Sequence, residues 1–230
     1  LPMTRRASFI VTIAGPAGAG KSTVARRLAE LLGFVFLDTG AIYRSVAWAA
    51  REAGLAWEDG AAVGALAART NIEFRRVDDE PRVFVDGRDV TAAIRTPEIS
   101  VGASRVSALP EVRTALLGLQ RRVAQAADVV AEGRDCGTVV FPHAQAKFFL
   151  TASVEERARR RAAELRTAGH PVDLDAVKRE IVDRDERDRT RAVAPLVKAS
   201  DALEVDSAGR SPDEIVSSLA DAVRSRGGAG

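Results

Sequence analysis

Short runs of consecutive apolar residues recur along the chain, separated by stretches with helical periodicity. Five such runs stand out: Phe9-Ile10-Val11-Thr12-Ile13-Ala14, Phe34-Val35-Phe36-Leu37, Asp128-Val129-Val130-Ala131-Glu132, Ala146-Lys147-Phe148-Phe149-Leu150 and Ala202-Leu203-Glu204-Val205. Their length and lack of alternation suit strands buried on both faces, as in a parallel sheet. Residues 21–32 place Val24, Leu28, Leu31 and Leu32 on one helical face and Arg26, Arg27 and Glu30 on the other. Residues 41–53 read as a second helix. Ser153-Val154-Glu155-Glu156 has capping-box spacing, and residues 173–191 form a highly charged helix with both signs interspersed. Ser211, Pro212 and Glu214 open a last helix as N-cap, N1 and N3, and residues 224–230 beyond it read as a fraying tail. Strands alternating with helices predict an α/β fold, a parallel sheet covered by helices on both faces.

The pattern changes near Asn71. Ile72 to Val77 alternates loosely, Asp78-Asp79-Glu80-Pro81 reads as a turn, and Arg82-Val83-Phe84-Val85 alternates again before the Asp86-Gly87 turn. This predicts a small antiparallel insert over residues 71–98, within a core made of residues 1–70 and 99–230. Arg95-Thr96-Pro97 ends the insert, and helical sequence resumes around Ser104 and again over residues 113–123.

With 230 residues, 46% of them hydrophobic, the chain is one large domain or a domain with a small insert. A formal net charge of +2 gives no sign of a nucleic-acid binder. The single cysteine, Cys136, excludes an intrachain disulfide, and two histidines leave little room for histidine-based catalysis. No apolar run reaches membrane-spanning length and the N-terminus lacks a signal peptide's apolar core, so a cytoplasmic protein is expected.

The chemistry concentrates after the first apolar run. Gly15-Pro16-Ala17-Gly18-Ala19-Gly20-Lys21-Ser22 matches the phosphate-loop pattern at every fixed position, with Thr23 next to it, between a strand and a helix. Gly15, Gly18 and Gly20 let successive N–H groups turn inward around phosphate oxygens. Lys21 reaches the β- and γ-phosphates, and the Ser22 hydroxyl is placed to ligate Mg²⁺. A chance glycine turn would lack the matching strand and helix, so this is a nucleoside triphosphate site. At the end of the second apolar run, Asp38, Thr39 and Arg44 either face the same crevice or serve as a helix cap and a solvated arginine. The guanine-reading Asn-Lys-x-Asp stretch of a GTPase is missing. Arginines at many loop and helix ends suit a site holding two phosphorylated ligands, because the guanidinium fork binds phosphate bidentately.

Several segments together carry a family resemblance. They are the glycine loop, Asp38-Thr39-Gly40-Ala41-Ile42-Tyr43-Arg44, Val85-Asp86-Gly87 with Ile94-Arg95-Thr96, Glu132-Gly133-Arg134-Asp135-Cys136-Gly137-Thr138, and Arg184-Asp185-Glu186-Arg187-Asp188-Arg189-Thr190-Arg191. From residue 9 to about 222 the chain resembles the bacterial cytidylate kinases, P-loop nucleoside monophosphate kinases. That resemblance implies transfer of the ATP γ-phosphoryl group to CMP or dCMP with Mg²⁺, by a monomer whose partners are small molecules. It places Thr39, Arg44, Arg134 and Arg191 around the CMP phosphate, Ser104, Arg113 and Asp135 at the cytosine, and Arg184 and Asp188 near the sugar. Arg157 and its neighbours would form a helical lid over ATP, spanning about residues 157–190. Lys21, Arg134, Arg157, Arg161 and Arg191 would be the catalytic set. The antiparallel insert would belong to the monophosphate-binding domain. Three positions depart from the family pattern: Ala14 where many members carry Asp, Ala17 where some have Ser, and Glu132 in place of Asp. Glu132 reads equally as a partner of the magnesium site and as a strand-end acid.

The residues themselves agree with such chemistry. An arginine fork can serve the N3 and O2 acceptors of cytosine, and a carboxylate its N4 amino group; uracil would turn O4 toward that carboxylate. A nucleotide phosphate is already an oxyanion, so no general base is needed. Two rivals stay open on sequence alone, a kinase of another acceptor such as UMP or shikimate, and a slow nucleotide-dependent switch. The arginine runs over 157–161 and 178–191 also fit solvated helix faces.

Overall fold

The computed structural model describes residues 7–78 and 80–228. In chain order it opens with β1 (Ile10–Ala14), α1 (Lys21–Leu32), β2 (Val35–Asp38), α2 (Thr39–Glu52) and α3 (Gly60–Arg69). Then come β3 (Ile72–Val77), β4 (Glu80–Val85), β5 (Arg88–Asp89), α4 (Pro97–Val106) and α5 (Pro110–Ala126). The rest is β6 (Val129–Gly133), β7 (Ala146–Thr151), α6 (Val154–Thr167), α7 (Leu174–Thr190), β8 (Leu203–Asp206) and α8 (Pro212–Arg224). A π-helical turn, Cys136–Val140, follows β6. Two compact units result: residues up to Leu37 with those from Arg121 onward, and Asp38–Gln120.

The first unit is built on a five-stranded sheet in the order β2-β6-β1-β7-β8. β1 pairs in parallel with β6 and β7, and β7 with β8. β1 therefore lies at the centre, with Ile13 beside Glu132 and Phe148. Its buried Val11 and Ile13 pack with Leu28 of α1, Phe148 and Leu150 of β7, and Leu219 and Val223 of α8. The continuous apolar runs are what a parallel strand covered by helices requires. After α8, Ser225, Arg226 and Gly227 are exposed but hydrogen-bonded in turns, and Gly228 is buried and donates its N–H to the Val223 carbonyl at 3.1 Å. Ala229 and Gly230, and the Asp79 of the anticipated turn, lie outside the described residues.

Helices α6 and α7 pack on each other through a small core of Ala158, Val177 and Ile181, reinforced by a Lys178–Glu155 ion pair of 2.6 Å. Among the described residues no helix is long and apolar enough to cross a membrane.

The second unit holds the antiparallel sheet β3-β4-β5, in which Ile72 faces Val85 and Phe74 faces Val83. It also holds α2 to α4 and α5 as far as Gln120, more helix than the sequence pattern suggests. α4 starts at Pro97, not near Ser104: Thr96 is its N-cap, accepting from Ile99 N–H at 3.2 Å, with Pro97 in the first turn. The Thr-Pro pair, read in the sequence as an insert boundary, is a helix start. α3 is capped by Asp59, and its Gly60 and Gly64 lower the helical signal enough to hide it.

Candidate active site

The phosphate loop leaves the central strand and ends as the N-terminus of α1. Gly20 is the N-cap residue with φ of 87°, no side chain caps that helix end, and its first turn carries no acid. The first N–H groups of α1 and its dipole are thus left for an anion. Gly15 cannot be replaced cheaply: its φ is 145°, and a Cβ there would stand 2.1 Å from the Leu150 carbonyl oxygen.

Lys21 is buried, and its Nζ donates to the Pro16 carbonyl at 2.7 Å. Burial, with the positive charges of Arg134 and Arg184 behind it, brings its pKa down from 10.5 to about 7, against the opposing pull of Glu132. The Ser22 hydroxyl donates to Glu132 Oε1 at 2.6 Å. Of the two readings of Glu132, this favours the partner of the Ser22 site over an isolated strand-end acid.

Behind the lysine stands a lattice of arginines and carboxylates from β6, the turn after it, and α7. Arg134 Nε donates to Asp188 Oδ2 at 2.8 Å. The Arg191 guanidinium lies 3.8 Å from Asp188 Oδ1 and 3.5 Å from Asp135 Oδ1, and its Nε donates to the Ala194 carbonyl at 2.7 Å. Burial pushes the Asp188 carboxyl up, but Arg134, Arg184 and Arg191 outweigh it and hold it below the usual carboxylate range. The first unit therefore brings together Lys21, Ser22, Glu132, Arg134, Asp135, Arg184, Asp188 and Arg191. Cys136 is buried beside them, and burial pushes its thiol up, the state of a packed residue and not of a nucleophile.

Thr39, Arg44, Ser104 and Arg113, anticipated around the acceptor, belong to the second unit. Asp38 is the N-cap of α2, accepting from Ala41 N–H at 2.7 Å, and its other oxygen takes Arg44 Nη2 at 2.9 Å. One carboxylate thus fills the cap and orients the arginine. Thr39 and Ser104 are buried. Arg113 Nη1 donates to the Ser107 carbonyl at 2.9 Å, and its guanidinium lies 5.4 Å from the centre of the Tyr43 ring.

The cytidylate kinase family model matches residues 11–225. A cytidylate kinase of Symbiobacterium thermophilum is 47% identical over 212 residues, covering 92% of this chain and 94% of that one. One from Geobacter sulfurreducens is 49% identical over 221 residues, covering 96% and 95%. This chain belongs to the cytidylate kinase family. Among solved structures, a shikimate kinase from Acinetobacter baumannii in complex with shikimate is 17% identical, covers 95% of this chain and 94% of that one, and superposes with a TM-score of 0.44.

Membership of this family makes the chain a nucleoside monophosphate kinase, which sets aside the slow switch. The resemblance puts Arg157 in a lid over ATP; in the structure its Nη1 donates to the Ala17 carbonyl of the loop at 3.0 Å and sits 2.6 Å from Asp185 Oδ2. Its Nε also donates to the Ala152 carbonyl at 2.9 Å, and the side chain is only 5% exposed. The contact with Ala17 arises because α6 begins one short step after β7, the neighbour of β1. Arg161 is different: it is partly exposed and pairs with Glu164 at 3.2 Å.

Two further residues escape the sequence reading. Asp185 precedes Asp188 by three positions, a spacing that puts both carboxylates on one helical face. Ser207 directly follows β8, where the strand-end rule would find it.

Proposed function

We propose that this chain transfers the γ-phosphoryl group of ATP to CMP or dCMP, giving ADP and CDP or dCDP. The observation that carries the reading is the convergence of the Lys21–Ser22 end of the phosphate loop on the Arg134, Arg184 and Arg191 lattice. A phosphate oxygen of CMP attacks the γ-phosphorus, and the bond to the bridging oxygen breaks, leaving ADP. Lys21 neutralises charge on the β- and γ-phosphates, its protonated form favoured once the triphosphate arrives. Arg134 and Arg191, with Thr39 and Arg44, hold the acceptor phosphate; because carboxylates fix their forks beforehand, little reorganisation remains for the reaction step. Arg157 and Arg161 of α6 act on ATP. Arg184 and Asp188 meet the sugar.

The oxygens of Ser22 and Glu132 fit Mg²⁺, a cation that takes one or two protein oxygens and fills its shell with water and phosphate. When bound, it supplies charge neutralisation between the β- and γ-phosphates. We place the enzyme in the cytoplasm, acting as a monomer on small molecules, with no nucleic-acid partner.

At the base, Asp135 accepts from the N4 amino group, Arg113 donates toward the ring acceptors, and Ser104 is the third contact. Asp135→Asn can turn an amide N–H toward O4 of uracil. The ratio of kcat/KM for CMP to that for UMP is expected to fall about tenfold or more, since an unpaired buried polar group costs roughly 1–3 kcal/mol. Arg113→Ala should weaken both substrates, because both bases keep O2. An unchanged ratio in an active Asp135→Asn enzyme would move base reading to other residues.

The activity itself is tested by offering CMP, dCMP, UMP, AMP and shikimate with Mg-ATP and following ADP release. Turnover should be fastest with CMP or dCMP. Preference for any other acceptor overturns the substrate assignment.

A further inference from the structure

Two carbonyls of the phosphate loop are gripped from outside. Ala17 O accepts from Arg157 Nη1 at 3.0 Å, and Ala19 O stands 3.2 Å from the Ser207 hydroxyl. Ser207 is 1% exposed, and its Oγ also lies 2.9 Å from the Thr151 carbonyl. Arg160 binds the same residue twice, with Nη1 at 2.9 Å from the hydroxyl oxygen and Nη2 at 2.8 Å from the carbonyl oxygen. A guanidinium only donates, so the hydroxyl must accept from Arg160 and send its single proton toward the Ala19 and Thr151 carbonyls. In a planar trans peptide, C=O and the following N–H point in opposite directions. Fixing the Ala17 and Ala19 carbonyls outward therefore turns the Gly18 and Gly20 N–H groups inward.

We propose that Ser207, set by Arg160 and working alongside Arg157, is a positioning residue that aims the loop N–H groups at the phosphates of ATP. The inference rests on reading the loop as the ATP site. It gives α6 a second task, bracing the loop before any nucleotide arrives. Ser207 and Arg160 touch no reacting atom in this role, so their loss acts through loop geometry.

Amide hydrogen exchange over residues 15–22 of the full chain, with and without ATP, tests this together with steady-state kinetics. Wild type should show this segment protected by ATP. Ser207→Ala should exchange faster there without nucleotide, raise KM for ATP about tenfold, and leave KM for CMP within about twofold, the scale of one lost hydrogen bond. Arg160→Lys keeps the charge but loses the fork, and should give the same pattern, which guards against a fold-specific failure of one variant. Unchanged exchange and unchanged KM for ATP in both variants overturn the brace alone, leaving the ATP site standing. A defect spread equally over ATP, CMP and the whole exchange map also overturns it. Absence of ATP protection in wild type overturns the ATP site and the brace together.

Discussion

Replacing Lys21 with alanine is expected to lower kcat for phosphoryl transfer by about 10²–10³-fold, the range for losing one preorganised charge stabiliser. The fold should survive, and stability near neutral pH should not fall. The lysine is buried among Arg134 and Arg184, which disfavours its charged form. Its folded pKa, about 7, lies below the ordinary 10.5, so between these values the unfolded chain binds more protons. Burying Lys21 therefore costs stability fully below pH about 7, and the cost fades as pH rises toward 10.5. Thermal melts of Lys21→Ala beside wild type should show the variant at no disadvantage at pH 6. A large loss of stability, or near-normal kcat, would remove the lysine from the role assigned to it.

Asp188→Ala should have the largest effect on stability, a loss on the order of 3–5 kcal/mol at pH 7, as for one partner taken from a buried ion pair. The carboxylate is 3% exposed and is held between Arg134 and Arg191, with Arg184 close enough to lower its pKa. Its removal leaves guanidinium charges crowded in a buried place. The folded carboxyl titrates below its ordinary range, so its contribution is complete above the unfolded pKa and is lost as pH falls through the folded one. Urea unfolding should show a wide gap between wild type and variant at pH 7 and a narrow one in strong acid. A phosphate anion, supplying the missing negative charge, should recover part of the loss in the variant. A gap that persists unchanged in strong acid would point to packing and not charge.

Much of this is legible in the sequence because strands and phosphate loops announce themselves locally. The run from Phe9 to Ala14 and the glycines after it define the strand, the loop and the start of α1 without reference to distant residues. The serine–proline–glutamate opening of α8 is present as a full capping box. What stays hidden depends on which strands lie next to each other. The contact of Arg157 with Ala17 exists because β7 adjoins β1, and the grip of Arg160 on Ser207 because β8 adjoins β7. Asp38 illustrates a different limit: the sequence offers a crevice-facing group or a helix cap beside a solvated arginine, whereas one carboxylate oxygen caps α2 and the other holds Arg44. α3 escapes the pattern because glycine propensity argues against a helix that tertiary packing imposes.

The central claim is that the γ-phosphoryl group moves from ATP to a cytidine monophosphate and not to water. Incubating the enzyme with Mg²⁺, γ-labelled ATP and CMP, and separating the products, tests it most directly. The account predicts label in CDP in equal amount to the ADP formed, dependent on CMP and lost in Lys21→Ala. Label released as inorganic phosphate, at a rate indifferent to CMP, would contradict it.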